Sequence, residues 1–246
     1  MDKLTEYYNT SKASLEKTKT HDREYFRDYI NSISKYVPAN ARVLDLGCGV
    51  GLSSAMLQQL GYRVTGLDIS STRIKNAHAR DMIDYVVGDA INLPFEDEYF
   101  EAIGSINVIE HIPQPMKALT EMNRCLKGRG FLVIYAPNFL CPLRPLVYRI
   151  LRRELAYKKS CLELIKGNLK RMLRRAPIFE FKDIELGTVV GGDRDAAYLA
   201  NILDLKYWLK DNGYKLLQYT GGFIERIPFF KDFSFGIRIV GQKMRV

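Results

Sequence analysis

The chain has 246 residues, 47% of them hydrophobic and 26% charged, which is ordinary globular composition and excludes collagen-like, disordered and coiled-coil chains. The net charge of +9 sits in one place. Residues 141–182 hold seven arginines and five lysines against three glutamates, a surplus equal to that of the whole chain, so the rest is neutral. No run approaches the ~18 consecutive apolar residues of a membrane span. The N-terminal stretch is charged throughout and lacks the apolar core of a signal peptide, which implies a cytoplasmic protein. Four cysteines without a CxxC pair, and three histidines, argue against a zinc site or a disulfide framework and predict reduced thiols and no bound metal.

The first forty residues read as helical and polar, with Tyr25, Phe26, Tyr29, Ile30 and Ile33 at helical spacing. From residue 42 the pattern alternates. Apolar runs at 43–46, 63–68, 84–87, 100–106 and 131–135 predict strands; 53–60, 70–80 and 116–126 predict the helices between them. After Pro137 the alternation stops, and the basic segment follows as two helix-like stretches interrupted near Gly167. A helix over 196–211 and strands at 214–219 and 235–240 complete the chain. The expected fold is α/β: a doubly wound, mostly parallel sheet of seven strands with an N-terminal helical cover and an inserted helical lid. The corresponding divisions are 1–40 (cover), 41–137 (α/β core), 138–192 (basic lid) and 193–246 (the rest of the core).

Ligands in such sheets bind beyond the carboxyl ends of the strands. There lies the central signal, Asp45-Leu46-Gly47-Cys48-Gly49-Val50-Gly51, with a strand before it and a helix after. Glycines at alternate positions let the backbone approach a ligand where a Cβ would collide. Asp68 ends the next strand, 17 residues past Gly51, and is placed to accept hydrogen bonds from two ribose hydroxyls. The spacing is G-x-G-x-G, not the G-x-G-x-x-G of dinucleotide sites, and no Walker lysine follows. A carboxylate at Asp45 repels a pyrophosphate and suits an ammonium group. Together these describe an adenosine with an amino-acid tail, namely S-adenosyl-L-methionine (SAM).

In these residues the chain resembles class I SAM-dependent methyltransferases, of the small-molecule and lipid-quinone type. Asp45, Gly47, Gly49 and Gly51 match the family's D-x-G-x-G-x-G loop around Cys48, and Asp68, followed by Ile69, matches its ribose acid. Gly88-Asp89-Ala90 with Leu93-Pro94-Phe95 matches the segment that meets the adenine, and residues 105–112, with Asn107, match the loop after the fourth strand. The resemblance covers roughly residues 35–137 and the last forty. It implies methyl transfer from SAM, with cofactor contacts from Asp45, Gly47, Cys48, Gly49, Gly51, Asp68, Ile69, Asp89, Ala90 and Asn107. Tyr7 and Tyr8 are candidates to fold over the cofactor, as N-terminal aromatic residues do in similar enzymes. The inserted helices depart from the family's minimal pattern and leave the acceptor open.

Methyl transfer from a sulfonium is an in-line displacement with a neutral leaving group, so the main demand is alignment in a water-poor site. A base matters only for a hydroxyl or carbon acid. His111, beside Glu110, is the candidate catalytic residue, with a purely structural role as its alternative. Asp193-Arg194-Asp195 could face an acceptor or start a solvated helix. In the basic segment Leu162, Ile165, Leu169, Met172 and Leu173 fall at helical spacing, with Lys166, Lys170, Arg171, Arg174 and Arg175 filling the turn. Three readings stand: a helix at a membrane surface, a plain lid with a solvated basic face, and, less favoured, an RNA-binding surface. The expected partner is a small-molecule or lipid-linked acceptor. Methylation of RNA, or a non-catalytic SAM-binding subunit, is the alternative.

Overall fold

The computed structural model describes residues 3–77, 82–150, 159–184, 195–219 and 236–245. Three helices come first: α1 (Lys3–Thr10), α2 (Lys12–Lys19) and α3 (Arg23–Tyr36). Ser11 and Asp22 start the second and third by accepting the backbone N–H groups of Ser14 and Tyr25, the donors a helix leaves free in its first turn. The core then runs β1 (Arg42–Leu46), α4 (Leu52–Gln59), β2 (Arg63–Asp68), α5 (Ser71–Lys75), β3 (Ile83–Val87), β4 (Phe100–Ile106), α6 (Pro115–Cys125) and β5 (Leu126–Pro137). Next come α7 (Arg144–Ile150), α8 (Cys161–Arg174), α9 (Ile202–Asp211), β6 (Tyr214–Tyr219) and β7 (Gly236–Lys243).

The strands form one sheet in the order β3-β2-β1-β4-β5-β7-β6. Strands β1 to β5 pair in parallel, and β7 lies between β5 and β6, antiparallel to both. The sheet is therefore mixed, which corrects the expectation of a mostly parallel one. Helices α4, α5 and α6 provide the crossovers for the parallel pairs β1–β2, β2–β3 and β4–β5, whereas β6 and β7 pair as antiparallel neighbours, which need none. Side-chain alternation along β5 assigns the two faces. Leu132, Ile134 and Ala136 join a core with Leu119 of α6 and Leu205 of α9, while Val133 and Tyr135 join one with Tyr29 and Ile33 of α3 and Leu57 of α4.

Three further expectations are corrected. The basic segment is not interrupted near Gly167, because α8 runs through it from Cys161 to Arg174. Residues 196–200 are extended rather than helical. Their backbone is engaged at long range, with the N–H groups of Ala197 and Tyr198 donating to the Glu110 carbonyl and that of Leu199 to Glu180, and α9 starts only after Asn201 caps Leu203. Arg171 is not part of a basic outer face. It is 1% exposed, and its guanidinium donates to Asp204 (2.8 Å) and Glu180 (3.0 Å). Residues 78–80, Asp193, Arg194 and Phe235 of the expected elements lie outside the described residues.

Candidate functional site

The glycine loop lies past the end of β1, where Gly47 and Cys48 both donate to the Leu67 carbonyl of β2. Gly47 has φ +73°, and a Cβ there would lie 2.2 Å from Val108, so this position admits only glycine. Gly51 (φ +78°) serves packing instead, because a Cβ would strike the Tyr85 hydroxyl. Asp45 is turned beneath the loop. Its carboxylate, 1% exposed, accepts from Ser53 (2.7 Å), Ser54 (2.6 Å) and Tyr29 (3.1 Å). Burial pushes its pKa up, partly offset by these three hydroxyls.

Two cavities, of about 150 and about 450 Å³, open above the strand ends. The smaller is lined by Asp68, Ile69, Asp89, Ala90 and Asn107, together with Leu4 of α1. Asp68 accepts the N–H of Gly49 through one carboxylate oxygen and that of Ser70 through the other, both at 2.9 Å. Each oxygen can accept a further bond. Asp89 accepts from the Ile91 N–H in a tight turn (3.1 Å). Asn107 takes a left-handed φ of +52° and bonds through its amide to the Tyr25 hydroxyl.

The larger cavity is lined by Cys48, Gly49, Tyr7, Glu110 and Asp195, with His21 stacked on Tyr25 at 3.9 Å. Five residues line both cavities: Tyr8, Gly47, Arg73, Asn107 and His111. Of the sequence-based candidates, then, Gly47, Cys48, Gly49, Asp68, Ile69, Asp89, Ala90, Asn107 and His111 come together around one cleft, whereas Asp45 and Gly51 support it from behind.

His111 follows β4 in a short 3-10 turn, Ile109–His111. Its Nδ1 is buried with no hydrogen-bond partner among the described residues and lies 3.6 Å from Asp195, in ion-pair range. Asp195 accepts the Tyr8 hydroxyl at 3.0 Å. Burial alone would push the Asp195 carboxyl up; nearby His111 and the Tyr8 hydroxyl more than offset this and hold it below the usual carboxylate range. Burial, then the Asp195 charge, pushes the Tyr8 phenol well above its ordinary value. Arg73 belongs to none of the sequence motifs. It stacks over the Tyr8 ring at 4.4 Å and lies 3.8 Å from Asp68, tying the roof of the cleft to its acid. An arginine five residues past a strand-end acid was the only local signal.

Comparison with known proteins gives the same region. Residues 44–134 match a family model described as a methyltransferase domain. Demethylmenaquinone methyltransferase of Clavibacter sepedonicus is 36% identical over 115 residues, 45% of this chain and 46% of that protein. The ubiquinone biosynthesis O-methyltransferase of Xanthomonas axonopodis pv. citri is 34% identical over 107 residues, 41% of this chain and 45% of its own. The match thus spans about half the length of these curated relatives. Among solved structures, a SAM-dependent methyltransferase of Methanosarcina mazei superposes with a TM-score of 0.59 at 20% identity, covering 87% of this chain and 98% of that one, a likeness of fold. Residues 44–134 therefore match a methyltransferase domain, set in a fold that this chain shares with solved SAM-dependent methyltransferases.

Proposed function

We propose that the protein transfers a methyl group from SAM to a small-molecule acceptor of the quinone type, free or lipid-linked. The observation that carries this reading is the pair of cavities that adjoin at Tyr8, Gly47, Arg73, Asn107 and His111: methyl transfer needs donor and acceptor held side by side in neighbouring compartments. The residues of the smaller one suit the cofactor. Asp68 has lone pairs left for ribose hydroxyls, Asp89 and the Ala90 N–H suit an adenine edge, and the absent Cβ of Gly47 leaves backbone exposed to the cleft. When bound, SAM supplies an activated methyl group on a sulfonium. The relatives named for demethylmenaquinone and ubiquinone biosynthesis support the acceptor class.

The chain's own residues then have three tasks. Tyr8 and Leu4 of α1 roof the smaller cavity and exclude water. His111 stands at the junction, where it can take a proton at a ring nitrogen from an acidic acceptor. Asp195 stabilises the imidazolium so formed, and the Tyr8 hydroxyl holds Asp195 in place. The partition of the chain is part of the same reading: 1–40 covers the cleft, 41–137 with 193–246 makes the core, and 138–192 is an inserted segment whose described residues line neither cavity. No described helix is long and apolar enough to cross a membrane.

Titration calorimetry with SAM tests the cofactor. The native protein should bind it, and Asp68→Ala should bind at least ~tenfold more weakly, as expected for loss of charge-assisted hydrogen bonds. Binding of NAD and not SAM would overturn the reading. For the acceptor, labelled methyl should pass from SAM to a demethylated hydroquinone. Transfer to RNA alone would transfer the assignment to nucleic acid.

A further inference from the structure

Helix α8 packs the wrong way round for a helix of a free-standing globular protein. The side chains it buries are Leu164, Asn168 and Arg171. Arg171 is tied to Asp204 and Glu180; the Asn168 amide donates to the Leu140 carbonyl at 2.8 Å and accepts from Asn201 at 3.0 Å. These polar bonds fix the rotation of the helix about its axis, because turning it over would strand a buried carboxylate, an arginine and two amides. What is turned outward is the apolar stripe: Leu162, Ile165, Leu169 and Leu173, the last 84% exposed. They recur at spacings of three and four, one continuous strip along the helix. Neighbouring α7 adds exposed Leu146 and Ile150.

The charge beside the strip is of one sign. Lys166, Lys170 and Arg174 are exposed and follow one another at i, i+4, i+8, a basic row alongside the apolar one. The single acid of the helix, Glu163, is occupied at its N-terminus in a capping box with Ser160. An exposed apolar strip flanked by a row of cations matches the interface of an anionic bilayer, with hydrocarbon contact for the leucines and headgroup phosphate for the lysines and arginine. The geometry points to α8 as the segment that seats this protein, lying flat, on an anionic membrane surface. This inference stands independently of the chemistry at the cavities.

Flotation of the full chain with vesicles tests it. The native protein should float with phosphatidylcholine vesicles that contain phosphatidylglycerol, and not with phosphatidylcholine alone. Leu169→Glu with Leu173→Glu should weaken binding at least ~tenfold, and so should Lys166→Glu with Lys170→Glu and Arg174→Glu. All five side chains are exposed, so both variants should keep the native thermal melt and SAM affinity. Vesicle binding that survives the leucine substitutions overturns the assignment to α8. Native protein that ignores both vesicles overturns the proposal; if it is then a dimer that the leucine variant makes monomeric, the strip belongs to a second copy.

Discussion

Helices α3 and α8 both have 14 residues and both divide into an apolar and a charged side, yet they are used in opposite ways. Helix α3 turns Phe26, Tyr29, Ile30 and Ile33 into the sheet and leaves Arg23, Glu24, Arg27 and Lys35 outside. Helix α8 turns Asn168 and Arg171 inward and leaves leucines outside. Periodicity establishes that a helix has two faces. It does not establish which one meets the protein, because a buried charge with a matched partner can outbid an apolar stripe that has somewhere else to go.

The largest effect should come from the inward face of α8. Arg171→Met leaves Asp204 buried without its cation and should cost about 3–5 kcal/mol in urea denaturation. Adding Asp204→Asn removes the stranded charge and should restore part of that. A loss below about 1 kcal/mol for the single variant would mean that the ion pair does not hold the helix. Next, Ile33→Ala on α3 should cost about 2–5 kcal/mol, because Ile33 is fully buried. Leu173→Ala on α8 should stay within about 0.5 kcal/mol, because almost nothing covers it. Equal costs would erase the contrast between the helices.

Acid should separate the helices more gently. Burial alone would push the Glu180 carboxyl up, but Lys159 and Arg171 outweigh it and hold the group below its ordinary value of 4.5. A carboxyl depressed in the folded state stabilises above the unfolded value and loses that contribution as the pH falls through the folded one. Hydrogen exchange should therefore show α8 losing protection before α3 as the pH drops below about 4.5, and Glu180→Gln should remove the difference in onset.

The parts that were legible in the sequence share a cause. Strands β1 to β3 are short apolar runs that end in Asp or run into Gly, β4 and β5 carry the apolar runs Phe100–Ile106 and Phe131–Tyr135, and such patterns are local. So are the glycine loop and Asp68. Where partners sit far along the chain, local reading failed. Arg171 lies 33 residues from Asp204, and nothing near it distinguishes it from Lys170 or Arg174. The Ala-Ala-Tyr-Leu-Ala run at 196–200 has helical composition, yet the amides of Ala197, Tyr198 and Leu199 are taken by the carbonyls of Glu110 and Glu180. Asp195 meets His111 only through the fold. Asp45 lies in β1 beside the glycine loop, and nothing in its local sequence says that Ser53 and Ser54, eight and nine residues on, turn their hydroxyls to its carboxylate.

Asp45 has a consequence for how the cleft is prepared. With three hydroxyls gripping its carboxylate from below, the loop above it is cast during folding and does not wait for a guest. A ligand arriving there meets finished backbone, so little of its contact energy is spent on ordering the chain. The work of shaping the site is transferred to the moment the protein folds, and Ser54 of α4, which lines neither cavity, becomes part of the mould together with Ser53 at the wall of the larger one.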